Sequence, residues 1–207
     1  SPFYKSPNDD NGYDISDYKD IMDDFGTMED FDELLKEAHK RNIKLIADLV
    51  INHTSDEHPW FIESKSSIDS DKRDWYIWRK GKNNKEPSIF KGSAWQYEEE
   101  SDEYYLHLFS KKQPDLNWEN EEVREALYEM VNWWLDKGID GFRIDAISHI
   151  KKDEGLLDMP NPDNLEYVPS FDKHSNRPGI QDFLKELKIN TFDKYDIMTV
   201  GEAAGVD

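Results

Sequence analysis

Three times along this chain an amphipathic helix runs almost directly into a short apolar strand, while the return from strand to helix is long. Phe31, Leu34, Leu35 and Ala38 recur at i, i+3, i+4 and i+7 behind Thr27, with Asp30 in capping-box position, and predict a helix over about 28–41. IKLIADLVIN (43–52) follows at once and, apart from Asp48, reads as a parallel strand buried on both faces. Asn120 caps a second helix in which Val123, Leu127, Met130, Val131 and Trp134 form one stripe, closed by Gly138, and strand IDGFRIDA comes next. Pro178 opens a third helix with Ile180, Phe183, Leu184 and Leu187 inward, before strand IMTVGEA over about 197–203.

The strand-to-helix links run to about 65 and about 30 residues, so the long loops gather at one end of the sheet. A (β/α)8 barrel shows that asymmetry, because its site is built from loops at the C-terminal strand ends. A doubly wound sheet is the alternative, weakened because no Gly-rich phosphate loop follows any strand. The fold class read here is therefore α/β, a partial barrel. A full barrel takes about eight strands and 250 residues, whereas three strands are legible, with SPFY as the tail of a fourth. The chain is expected to be a piece of a larger protein, about strands 2 to 5. Its barrel parts would be 1–53 and 119–207, with a small subdomain, 54–118, inserted after the third barrel strand. That middle stretch carries Trp60, Trp75, Trp78, Trp95 and Trp118 and is too aromatic for a plain loop.

Composition removes several functions. A formal charge of −20, from 46 acidic against 26 basic side chains, argues against nucleic acid and anionic membrane surfaces, which are bound through Lys and Arg clusters. A neutral or cationic small ligand is favoured. With no Cys there is neither a disulfide framework nor a thiolate metal site, which fits a reducing, cytoplasmic setting. No apolar run approaches the length of about 18 residues that a membrane span needs. Oligomeric state is not legible.

Each strand ends in a chemically capable residue: Asn52 and His53, then Asp145, then Glu202. Alternation puts Arg143 and Asp145 on one face of their strand and Phe142 and Ile144 on the other. Arg143 with Asp145 is either a structural ion pair or a catalytic carboxylate held by a guanidinium. In a barrel, Asp145 and Glu202 converge and supply the two carboxyl groups of a retaining glycosidase. As metal ligands they would want further partners, and His53 is the main one on offer, which leaves a metal-dependent sugar isomerase the weaker reading.

DLVINH (48–53), QPDLNW (113–118), GFRIDAISH (141–149) and VGEA (200–203) resemble, in order, four signature segments of the α-amylase family, glycoside hydrolase family 13. The stretches between them resemble its oligo-1,6-glucosidase and α-glucosidase group. The resemblance implies a retaining exo-α-glucosidase acting on short oligosaccharides of the maltose and isomaltose type. It implies Asp145 as nucleophile, kept ionised by Arg143, and Glu202 as the acid/base, which must begin protonated near neutral pH. Asp10, Tyr13 and His53 match positions that grip the non-reducing glucose, and Phe109 an aromatic that faces the substrate. Ala146 stands where the group carries Val with α-1,6 cleavage and smaller residues with α-1,4.

A third carboxylate, in a later His-Asp segment, has no match here, so residues 1–207 alone are expected to be inactive. No cofactor or metal is expected of this chain, calcium being left to the part outside it. NDDNGYDISDY fails as an EF-hand loop, since Pro7 and Tyr18 stand where its first Asp and last Glu belong. The rival activities are transglucosylation or sucrose isomerisation on the same site, and a non-catalytic family relative. Asp48 is expected to pair with a neighbouring strand, Arg143 being the candidate. His39, His58, His107 and His174 read as surface or packing residues, and Trp133 and Trp134 as rim and core. Ser148-His149 replaces the Lys-His of amylases with extended clefts.

Overall fold

Thr27 accepts the backbone N–H of Asp30 while the Asp30 side chain accepts that of Thr27, so the expected capping box starts α1, Met28–Lys40. In this computed structural model residues 1–81, 86–90 and 92–203 are described; 82–85 and 91 of the expected inserted stretch, and 204–207 of the last expected barrel part, lie outside the described residues. The described strands are β1 (Tyr4–Lys5), β2 (Asp17–Ile21), β3 (Ala47–Val50), β4 (Trp78–Lys80), β5 (Trp95–Glu98), β6 (Glu103–Leu106), β7 (Gly141–Asp145) and β8 (Met198–Gly201). The further α-helices are α2 (Pro59–Ser66), α3 (Glu121–Lys137) and α4 (Ile180–Asn190).

β3, β7 and β8 form a parallel sheet in that order, with Asp48 opposite Arg143 and Arg143 opposite Val200. Helix α3 buries Val123, Leu127, Met130, Val131 and Trp134, and Gly138 ends it in the left-handed region at φ 108°. Trp134 is the hub of the core, ringed by Phe3, Tyr4 and Phe31 at centroid distances of 5.3, 5.5 and 5.1 Å. Gly141 is required for another reason: a Cβ there would lie 1.7 Å from the Met198 carbonyl oxygen, so only glycine lets β8 approach β7. Asp140, just before β7, accepts from His39, Lys44 and the Leu45 backbone N–H, tying the end of α1 to the strand that carries Asp145.

Three expectations are corrected. The first strand is ladder-paired only over Ala47–Val50, and Ile43 and Ile46 ahead of it are exposed. SPFY does not join the parallel sheet: β1 pairs antiparallel with β2, because Asn8, Asn11 and Gly12, all at positive φ, fold the chain back on itself. Leu34, expected on the buried stripe of α1, is 54% exposed, since Phe31, Leu35 and Ala38 already fill the contact. All four residues of β8 are exposed, because β8 has a strand neighbour on one side only.

Between residues 54 and 118 lie α2 and an antiparallel sheet in the order β4-β6-β5. Phe61, Trp75, Tyr76, Tyr105 and Trp118 from this stretch belong to the same hydrophobic core as β3 and β7. The Trp118 indole N–H donates to the Ile51 carbonyl at 2.8 Å, so the far end of the stretch is tied to the residue just past β3. Among the described residues, no helix is long and apolar enough to cross a membrane.

Candidate active site

The pleat of β7 points Arg143 and Asp145 to one face, and the parallel register brings the end of β8 alongside. The backbone N–H of Glu202 donates to the Ile144 carbonyl at 2.8 Å, extending the ladder one residue past β8 and setting Glu202 next to Asp145. One guanidinium then gathers three carboxylates. Nη1 of Arg143 lies 2.6 Å from Asp145 and 2.7 Å from Asp48, and Nη2 lies 2.9 Å from Glu202. Tyr13 closes the group, donating its hydroxyl proton to Asp48 at 3.1 Å. Ala146 gives its backbone N–H to Glu202 at 3.1 Å and sits at φ 45°, ψ 32°, a left-handed conformation unusual for a residue with a Cβ.

The protonation of Asp145 differs from the sequence expectation. Burial raises its carboxyl, Arg143 pulls the other way, and the negative charges of Glu202 and Asp48 add to the rise, leaving it pushed up to about 7. A guanidinium divided among three anions does not offset the loss of water around one of them. Tyr13 is pushed up to about 12 by burial and by the adjacent Asp48 charge. For Arg143 burial opposes the charge, but hydrogen bonds to Asp48 and Asp145 hold its proton more tightly than water would.

A second network forms the adjoining wall. Lys152, buried, donates to Asn52 Oδ1 at 2.8 Å and pairs with buried Asp115 at 2.8 Å. Because an ammonium only donates, Asn52 must present its NH2 to Asp115 at 3.0 Å and to His53 Nδ1 at 3.2 Å. His53 Nδ1 is then an acceptor, and a neutral ring carries its proton on Nε2. Burial keeps the ring neutral, lowering it to about 4. Gln113 is oriented in the same way: its oxygen accepts from the Ser110 N–H, and its nitrogen reaches Asp10 at 3.0 Å and His53 Nε2 at 3.1 Å. The remaining ring N–H of His53 finds its acceptor in the Tyr13 backbone carbonyl, which ties this wall to the Tyr13 that faces Asp48. Phe109 lies over the ring at 4.9 Å.

The structure thus brings Arg143, Asp145, Glu202, Tyr13 and Ala146 into one group and joins Asp10 and His53 through Gln113 in another, with Phe109 packed against His53. Sequence reasoning assigned no role to Gln113, Asp115 or Lys152. The QPDLNW segment was a signal for the first two; nothing in HIKKDE marks Lys152 as buried. Of the residues read as surface or packing, His58 accepts the Trp60 N–H at the start of α2, and His174 packs 5.2 Å from His149. Among the described residues, no group of three or more His, Asp or Glu is placed to hold a metal ion.

The family described as alpha amylase, catalytic domain, matches residues 1–207. A probable oligo-1,6-glucosidase 3 of Bacillus subtilis is 69% identical over 99% of this chain and 38% of its own length. The oligo-1,6-glucosidase of Parageobacillus thermoglucosidasius is 60% identical over 100% of the chain and 37% of its own. Among solved structures, Bacillus licheniformis trehalose-6-phosphate hydrolase superposes with a TM-score of 0.92 at 49% identity, covering 100% of this chain and 37% of that one. Isomaltulose synthase from Klebsiella sp. LX3 gives 0.90 at 46%, with the same coverage. The chain spans little more than a third of the length of these relatives.

Proposed function

This chain belongs to the α-amylase family, and from that premise we propose that the protein it forms part of is a retaining exo-α-glucosidase of short α-glucosides. One observation carries the reading: a single guanidinium bridges two carboxylates at the C-terminal ends of neighbouring parallel strands, Asp145 on β7 and Glu202 just past β8. In the first step Asp145 attacks the anomeric carbon, the glycosidic C–O bond breaks, and Glu202 gives its proton to the leaving oxygen. In the second, Glu202 takes a proton from water, whose oxygen displaces Asp145, so the configuration is restored. Tyr13, Asp10 and His53 hold the glucose. Phe109 stacks over His53 and offers its ring to the sugar.

Three parallel strands laid side by side in the order they occur along the chain, each preceded by a helix, support reading the sheet as an arc of a (β/α)8 barrel, with 54–118 as its inserted subdomain between the parts at 1–53 and 119–207. The likeness to the oligo-1,6-glucosidases of Bacillus subtilis and Parageobacillus thermoglucosidasius favours α-1,6 cleavage. Ala146 favours α-1,4, because a small side chain beside Glu202 leaves room for a differently angled leaving sugar. The likeness to isomaltulose synthase keeps transfer to a second sugar as the alternative fate of the glycosyl enzyme. The absence of cysteine fits a cytoplasmic setting.

The test is turnover of maltose, isomaltose and p-nitrophenyl α-glucoside by the full-length protein, with the first-formed anomer read by NMR. Hydrolysis to α-glucose supports the reading and release of β-glucose refutes it. Residues 1–207 alone, with β8 open to solvent, are expected to show none of this activity.

A further inference from the structure

A line of rings leads out of the site. His53 meets Phe109 at 4.9 Å, Phe109 meets the edge of His149 at 6.1 Å, and His149 meets Phe171 at 5.4 Å. The inner three members are buried or half-buried, whereas Phe171 is 45% exposed. Phe171 lies in the long loop after β7, and that loop is fastened at several points. His149 Nδ1–H donates to the His174 carbonyl at 2.8 Å, and the Asn176 N–H to the Ser148 carbonyl at 2.9 Å. Two residues from Phe171, buried Lys173 pairs at 3.2 Å with buried Glu86, whose other oxygen accepts the Trp95 indole N–H at 2.6 Å.

A buried ion pair contributes little net stability but fixes geometry, since each charge has one low-energy position. Here it locks the loop that follows Asp145 to the sheet of β4, β5 and β6. What that lock holds in place is an apolar ring facing solvent at the outer end of the site wall. A pyranose has one face of C–H groups, and an aromatic ring is its natural counterpart.

We propose that Phe171 is a specificity-determining residue whose ring stacks on the sugar at the leaving-group side of the scissile bond, with Glu86 and Lys173 as the positioning residues that hold it there. The inference rests on the glucosidase reading. The inner end of the ring line, where His53, Gln113 and Asp10 are linked, is the glucose end. Phe171, at the open end, is left for the group that departs.

The experiment uses the full-length enzyme with maltose, isomaltose and α-glucosyl fluoride, whose leaving group has no face to stack. Phe171→Ala is expected to lower the disaccharide-to-fluoride ratio of kcat/KM about tenfold, mainly through KM, the scale of one aromatic contact. Phe171→Tyr should restore the ratio, and Glu86→Gln should lower it less. Phe171→Leu, which keeps the bulk and loses the flat face, gives the same reading if the alanine variant does not fold. An unchanged ratio, or a loss shared equally by all three substrates, assigns the ring to packing and overturns the proposal. A wild-type enzyme inert on all three removes the glucosidase reading itself, a result distinct from either.

Discussion

Asp145 and Glu202 form ion pairs with the same guanidinium, yet they sit in opposite surroundings. β7 is enclosed by β3 on one side and β8 on the other, and Phe142, Ile144 and Asp145 are all buried. β8 is an edge strand, and the Glu202 side chain just past it is 51% exposed. The shared cation explains why the two carboxylates meet. It does not make them equivalent, because burial decides how tightly Asp145 holds a proton, and Glu202 stays in contact with water. The difference in surroundings between the two carboxylates is therefore built from the order of strands, with Arg143 between them.

The largest effect expected of breaking this pair is on turnover. Asp145→Asn should cost several orders of magnitude in kcat on every substrate, the scale for removing a covalent catalyst. Glu202→Gln should cost as much on maltose or isomaltose and far less on α-glucosyl fluoride, because fluoride departs without a proton. Steady-state kinetics on both substrate classes checks the assignment. Equal losses for both variants on both classes would overturn the separate roles proposed for them.

The next effect is on pH dependence. If Asp145 titrates near 7, kcat/KM should fall about tenfold per pH unit on the acid side of that point, since only the ionised carboxylate attacks. Stability runs in the opposite sense. A carboxyl raised from 3.8 to about 7 binds more protons folded than unfolded across that window, so stability falls as pH rises through it. Asp145→Asn should then raise the melting temperature of the full-length protein more at pH 8 than at pH 4. A uniform gain at both values would place the titration elsewhere.

Much of this was legible because it depends on local chemistry. The capping box of α1, the stripe of α3 and the Gly138 stop follow from periods and termini that a sequence displays directly. So did the common face of Arg143 and Asp145, which needs only alternation. What stayed hidden depends on neighbours. The exposure of Leu34 and of β8 is set by which contacts are already filled and which strand edge is free. The rise of Asp145 depends on how many anions share Arg143, and Asp48 and Glu202 come from strands far away in sequence. Lys152 looked like one more surface lysine of an acidic protein, yet it orients Asn52 and through it His53.

The smallest effect probes the backbone between the two carboxylates. Ala146 sits at φ 45°, where a β-branched side chain crowds its own carbonyl, so Ala146→Val should destabilise the full-length protein by about 1–2 kcal/mol. The new methyl groups would stand beside Glu202, which already accepts the N–H of residue 146, and narrow the space for the leaving sugar. The isomaltose-to-maltose ratio of kcat/KM should then rise about fivefold, a change within the range that one or two methyl groups supply in a pocket. Measuring that ratio alongside the melting temperature separates the two consequences. A lower melting temperature with an unchanged ratio would leave Ala146 a requirement of the turn after β7, with linkage preference set elsewhere in the site.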